Sequence, residues 1–121
     1  MAEKEKIWKW VIGHMGRTYL AMQQLEDAKQ CFLRLLAWPG PVNSAGDRVE
    51  VLFIGMAAYH RMRKDWIKLR ECCEEALVIL PHVDDGRLSD QTEEKLLIML
   101  ADAAEGEGDM RRAHEYDEKA K

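Results

Sequence analysis

The chain has 121 residues, of which 47% are hydrophobic and 33% are charged, and its formal net charge is -4 at pH 7. The length fits a single domain, the composition excludes a disordered tract, and the negative balance gives no general attraction to nucleic acid or anionic membranes. Abundant Ala, Leu, Glu, Lys, Arg and Met favour helix over strand.

Neither targeting signals nor disulfides are indicated. Apolar runs such as residues 76–81 are far below the roughly 20 residues that a membrane helix needs, and no signal-type apolar stretch follows the charged N-terminus. The three cysteines are odd in number, and Cys72 and Cys73 are adjacent, which disfavours disulfides. We therefore expect a cytoplasmic protein in a reducing intracellular compartment, with no membrane partner.

A helical hairpin is predicted for the first third of the chain. Apolar residues recur at helical spacing over residues 7–22, pause at the glutamines 23–24 and resume over residues 25–36. The segment 38–46 concentrates Pro, Gly, Asn and Ser, which end a helix and form a loop. The first hairpin therefore covers about residues 5–38.

Two further hairpins follow. Helical spacing over residues 49–77 is broken at the charged segment 63–65 and ends at Pro81. A loop at 84–86 precedes the next helical pattern, and a Gly-rich turn at 106–109 divides that pattern into two helices. The second and third hairpins are predicted to cover about residues 47–81 and 89–121.

The three hairpins repeat one spacing pattern when they are aligned at the turns between their helices. Small residues then coincide at Gly16, Ala57 and Ala101, 41 residues (16 to 57) and 44 residues (57 to 101) apart. Small residues let helices approach closely, and bulky residues fill the remaining space. Other aligned positions are Ile12, Met15 and Tyr19, then Phe53, Met56 and His60, then Leu97, Leu100 and Ala104.

This order of large, small and aromatic positions resembles the tetratricopeptide repeat, over roughly residues 8–121. The resemblance implies one all-α domain over residues 1–121, a right-handed superhelix of about three antiparallel helix hairpins. The repeat is longer than the family's usual period of about 34 residues, as in extended-repeat variants. Gln23 and Lys64 stand where the family has a turn glycine.

The resemblance also implies a concave groove lined by the first helix of each hairpin. Its predicted residues are Trp10, Gly13, Arg17, Leu20, Ile54, Ala58, Arg61, Met62, Lys95, Ile98 and Asp102. Aliphatic anchors beside a few charges suit a helical or extended peptide segment of another protein, so we predict a scaffold or adaptor. The alternative at each position is burial in the core, above all for Ile54 and Ile98.

One branch of the family grips the C-terminal carboxylates of heat-shock chaperones with Lys, Asn and Arg at fixed groove positions. In this sequence those positions hold Gly13, Arg17, Gly55, Lys95 and Met99. Only Lys95 matches in kind, so a carboxylate clamp is not predicted.

Two other functions stay open. One is a secretion-type or assembly chaperone that shields one apolar partner helix. The other is an RNA-binding helical-repeat protein, which would use the basic residues around Trp66. Because Asp65 and Glu71 dilute that charge, a solvated turn is the favoured interpretation and nucleic acid is not expected as a partner. The basic residues are His60, Arg61, Arg63, Lys64, Lys68 and Arg70.

No catalytic, cofactor or metal site is predicted, and we do not expect an enzyme. Cys72 and Cys73 lack Cys-x-x-Cys or His-x-x-x-His spacing, and the four histidines are scattered over three hairpins. Adjacent helical residues point about 100° apart, so we expect Cys73 in the core and Cys72 partly exposed.

Trp8 and Trp10 predict a second interface at the N-terminal end. Residues two apart on a helix face different ways, so one neighbouring helix cannot bury both indoles. Either an earlier helix packs at this end, or a partner or a second copy of the chain covers the exposed ring. Self-association through this end is therefore a hypothesis.

Overall fold

The computed structural model describes residues 2–38, 45–83 and 91–121, and every regular element in these ranges is a helix. The prediction of an all-α fold is confirmed, whereas residues 39–44 and 84–86 of the predicted loops lie outside these ranges. None of the described helices combines the length and apolarity needed to span a membrane. The elements are α1 (Ala2–Ala21), α2 (Leu25–Leu36), α3 (Ala45–Glu50), a π-helical segment (Val51–Met56), α4 (Ala57–Met62), α5 (Trp66–Ile79), a 3₁₀ turn (Leu80–His82), α6 (Gln91–Gly106) and α7 (Met110–Ala120).

Three turns with one backbone geometry join α1 to α2, α4 to α5 and α6 to α7. The residues Gln23, Lys64 and Gly108 adopt φ values of 61°, 59° and 83°, the left-handed conformation that ends many helices. The next amide in each turn donates a hydrogen bond to the carbonyl five residues back. These bonds run from Gln24 to Tyr19 at 2.9 Å, from Asp65 to His60 at 2.9 Å and from Asp109 to Ala104 at 2.8 Å.

The helices following the second and third turns begin with a side-chain cap. The carboxylates of Asp65 and Asp109 accept hydrogen bonds from the amides of Lys68 and Arg112, at 3.3 Å and 3.0 Å. Such a cap satisfies one of the amides that a helix start leaves without a partner. Gln24 holds a similar backbone conformation before α2 without a side-chain cap. The internal repeat thus extends from sequence spacing to turn geometry.

The hairpins stack through two apolar junctions. The π-helical segment packs against both α2 and α5, and α6 packs against both α5 and α7. The first junction, between the first and second hairpins, is built around Ile12, Phe32, Leu35, Met56 and Tyr59. The second junction, between the second and third hairpins, is built around Leu52, Leu69, Cys73, Leu96 and Leu100.

Small residues make room for rings at both junctions. The Phe32 ring lies between Gly16 of α1 and Gly55 of the π-helical segment, and a Cβ at either glycine would lie 2.6 Å from ring atoms. At the second junction the Trp66 indole lies against Gly106, where a Cβ would also overlap the ring. The expectation that Gly16 permits close helix approach is therefore confirmed.

The outward face of α1 differs from the sequence expectation. The repeat pattern predicts Met15 at a packing position, but its side chain is 44% exposed. Ile7, earlier on the same helix, and Met22, which directly follows its last residue, are also exposed. The reason is that no helix in the described ranges packs against this side of α1.

Candidate partner-binding face

The first helices of the hairpins carry an open surface, which we call the groove face. It comprises Trp10, Gly13, Arg17, Ile54, Ala58, Arg61, Met62, Lys95, Ile98 and Asp102, all of them exposed or half-buried. Leu20, the remaining residue of the predicted groove, is only 8% exposed and packs in the first junction. It follows Ile12 and Gly16 at intervals of four, which places all three on the inner side of α1.

Two predicted groove residues contact each other directly. Arg61 of α4 and Asp102 of α6 form an ion pair with an Nη2–Oδ2 distance of 2.9 Å. Both side chains remain partly exposed, so the pair contributes at most about 1 kcal/mol to stability. Its main consequence is geometric, because it holds the second and third hairpins side by side along the groove face.

Apolar side chains surround this ion pair without being covered. Ile54 is 40% exposed, Ile98 is 42% exposed and Met62 is 45% exposed. Ile98 lies one turn before Asp102 on α6, and Met62 directly follows Arg61 on α4. The groove face therefore presents aliphatic surface next to a fixed pair of opposite charges.

The first hairpin contributes a connected set of polar and aromatic side chains on α1. The rings of Trp10 and His14 lie with their centroids 4.5 Å apart. The guanidinium Nη2 of Arg17 lies 3.1 Å from Nδ1 of His14, and because a guanidinium only donates, the ring nitrogen accepts. His14 was not among the predicted groove residues, although its spacing from Trp10 and Arg17, four and three residues, is that of one helix face.

A shallow cleft extends the groove face toward α7. It has a volume of about 450 Å³ and shares Ile98 with the groove face. Three carboxylates line it, from Glu94 on α6 and from Asp117 and Glu118 on α7. Lys121 also lines the cleft and pairs with Glu118 at 3.4 Å, so the carboxylates of Glu94 and Asp117 give this end of the face an acidic balance. Arg17 and Lys95 supply exposed positive charge elsewhere.

The basic residues near Trp66 are largely paired or buried. Arg63 contacts Glu26 at 3.0 Å, and Arg70 contacts Glu107 at 2.9 Å. Arg61 pairs with Asp102 as described, and His60 is buried. Lys64 and Lys68 are exposed. This region therefore presents less free positive charge than its sequence suggests.

Cysteine chemistry is suppressed by burial. Cys73 is buried and Cys72 is half-buried, as expected from the sequence. Desolvation raises the pKa of Cys72 to about 11 and that of Cys73 to about 12, so both thiols stay protonated near neutral pH. Among the described residues, no group of three or more His, Cys, Asp or Glu side chains is placed to hold a metal ion.

The carboxylate-clamp positions do not form a site. Gly55 is buried against Phe32, and Met99 is buried in the second junction.

Comparison of the chain with models of protein families, with curated proteins and with solved structures gives no match. Function is therefore inferred from the side chains of the groove face.

Proposed function

We propose that the chain is a protein-interaction module of the tetratricopeptide-repeat type, acting as a scaffold or adaptor. It binds a helical or extended segment of another protein across the groove face. The observation that carries this proposal is the matched exposure of Ile54 and Ile98, at 40% and 42%, on first helices whose opposite sides are buried in the junctions. An apolar side chain that is exposed at the same position of two adjacent hairpins suits an apolar partner segment.

The three shared turns support the repeat architecture in this proposal. The same turn joins each helix pair, and consecutive hairpins pack in chain order, which supports a superhelix whose first helices line one surface. Gly13 holds the position in the first hairpin that Ile54 and Ile98 hold in the others. Gly13 is half-buried and has no side chain, so the first hairpin lacks an aliphatic anchor at this position.

Affinity comes from the aliphatic anchors and register from the charges. Covering a half-exposed Ile or Met contributes roughly 1 kcal/mol, because full burial of such a side chain contributes about 1.5–3 kcal/mol. A partner segment that also stacks on Trp10 and pairs with Arg17 gains direction along the face. A protein segment fits this mixture better than RNA, because Arg61, Arg63 and Arg70 already have carboxylate partners.

The test begins with affinity purification and mass spectrometry, using the full chain as bait. Binding of the recovered segment is then measured by calorimetry with Arg17→Glu and with Met62→Glu. We expect each variant to weaken binding at least about tenfold, since each places a carboxylate against the partner. The circular dichroism spectrum should not change, because both side chains are exposed.

The matched control is Val78→Glu, which alters an apolar side chain of α5 that is 72% exposed and lies outside the groove face. It should bind like the unmodified chain. If both groove variants bind as tightly as this control, the groove face is not the binding surface and the proposal fails.

A further inference from the structure

The outward face of α1 is a second apolar surface, separate from the groove face. We call it the stacking face and define it by Ile7, Val11, Met15, Thr18 and Met22. Successive members are four, four, three and four residues apart; the first four form one stripe along α1, and Met22 directly follows the helix. From Ile7 to Met22 this stripe is about 23 Å long. Val11 is half-buried and the other four members are exposed.

The other hairpins show what normally covers this surface. In the second hairpin, the positions aligned with Val11, Met15 and Thr18 hold Leu52, Met56 and Tyr59; in the third hairpin they hold Leu96, Leu100 and Ala103. All six are buried. The π-helical segment is covered by α2, and α6 is covered by α5. The stacking face thus corresponds to the positions that a packed helix covers in the other two hairpins.

Charge selects which helix fits. Lys4 is exposed and continues the stripe at its N-terminal end, seven residues before Val11. Asp27 is exposed in the first turn of α2, which follows the opposite end of α1 after the turn at residues 22–24. Two α1 helices packed antiparallel bring the Lys4 end of each against the Asp27 end of the other. Apolar surface then meets apolar surface along the stripe.

The last described helix, α7, does not offer an equivalent match. The positions aligned with Trp66, Cys73 and Leu77 of α5 hold Met110 and Asp117 of α7 and Lys121, which directly follows α7. All three residues are exposed, and two are charged. Stacking α7 of one copy on Met15 of the next would therefore bury charges against apolar surface, which is costly.

We propose that two copies of this chain associate through their stacking faces, with the α1 helices antiparallel, to form a closed twofold dimer. Each stacking face contacts the same face of the other copy, so association ends at two. Trp8 directly follows Ile7 on α1 and is 59% exposed, so the second copy also covers an indole that the groove face does not use. The groove faces remain open in the dimer.

The first test measures the mass of the full chain by sedimentation equilibrium over a range of concentrations. We expect a dimer, and we expect Met15→Glu to raise its dissociation constant at least about 100-fold by burying a charge at the interface. Thr18→Glu provides a second variant at an exposed position. Val78→Glu, on α5, should remain dimeric. An unmodified chain that is monomeric at every concentration overturns the proposal, as does a Met15→Glu variant with unchanged self-association and native circular dichroism.

The second test addresses the antiparallel arrangement. Lys4→Glu and Asp27→Lys should each weaken the dimer roughly threefold at low salt, because each places like charges together. The double variant restores opposite charges and should recover the original dissociation constant. If the double variant is weaker than both single variants, the two ends do not meet and the antiparallel dimer is excluded.

Discussion

Both junctions between hairpins contain an aromatic ring that packs against glycine, but the two rings are enclosed to different degrees. At the first junction the Phe32 ring is fully buried, with Gly16 on one side and Gly55 on the other. At the second junction the Trp66 indole rests on Gly106 and stays half-buried at the edge of the stack. A ring held from both sides fixes the spacing of three helices, whereas a ring at an edge fixes only two.

The ion pairs that join each second helix to the next turn also differ, because their charges are reversed between the two junctions. At the first junction, Glu26 of α2 contacts Arg63 in the following turn. At the second junction the signs are reversed, and Arg70 of α5 contacts Glu107. Packing the third hairpin directly on the first would bring Glu26 toward Glu107, which repel. The reversal therefore favours one order of hairpins, even though each exposed pair adds little stability.

The largest effect that separates the junctions is expected from Gly55→Ala. The new methyl group would overlap the Phe32 ring, which cannot move away because Gly16 lies on its other side. We expect the free energy of unfolding to fall by about 2 kcal/mol, measured by urea denaturation. Combining Gly55→Ala with Phe32→Leu should recover part of the loss, because the smaller side chain leaves room.

The matched variant at the second junction is Gly106→Ala. The half-buried indole of Trp66 is able to turn toward solvent, and alanine favours helix over glycine by about 1 kcal/mol. We therefore expect a loss below about 1 kcal/mol. Equal losses for Gly55→Ala and Gly106→Ala would show that the two rings are equally confined and would remove the distinction between the junctions.

A buried histidine gives the second hairpin a pH dependence that the aligned residue of the third hairpin, Ala104, cannot have. His60 is buried, and its Nδ1 has no hydrogen-bond partner among the residues that the structure describes. Burial is the main cause that lowers the pKa of His60 below its ordinary value of 6.5. The nearby charged groups are Asp65, which raises the pKa, and Lys68, Lys29 and Arg63, which lower it further.

The direction of the pH effect follows from proton uptake. As the pH falls below 6.5, the unfolded chain binds a proton at this histidine before the folded chain does. The free energy of unfolding should therefore be highest above pH 6.5, decline as the pH falls toward the lowered pKa, and level off below it. Urea denaturation at a series of pH values should show a shallower decline for His60→Gln. His114→Gln, at an exposed site, should keep the pH dependence of the unmodified chain. If the free energy of unfolding declines equally with pH in all three proteins, His60 is not its cause.

Most of the helical organisation was predictable because it depends on local pattern. Apolar spacing located both helices of each hairpin, and the position of Gly16 indicated a close helix approach. The π-helical segment Val51–Met56 was not predicted, because six apolar-rich residues carry no periodicity that distinguishes a π-helix from an α-helix. Its position beside the Phe32 ring depends on packing between hairpins, which sequence spacing does not report.

The groove face was predictable only as far as helix rotation could be judged. Leu20 lies inside because the inner side of α1 includes every fourth residue from Ile12. The Arg61–Asp102 pair joins two residues that the repeat pattern placed on one surface, but their contact depends on the distance between α4 and α6. His14 was not predicted on the groove face, because it is assigned there by its contacts with Trp10 and Arg17 and not by its residue type.

The smallest expected effect concerns the left-handed position of the turns, which holds Gln23 and Lys64 in the first two hairpins and Gly108 in the third. Lys64 adopts a left-handed conformation that costs non-glycine residues roughly 1 kcal/mol, whereas Gly108 adopts it in the third hairpin without that cost. Lys64→Gly should therefore raise the free energy of unfolding by about 0.5–1 kcal/mol, and Gly108→Ala should lower it by a similar amount. Thermal and urea denaturation of both variants check this. If both variants are as stable as the unmodified chain, the residue type at this turn position does not limit stability in either hairpin.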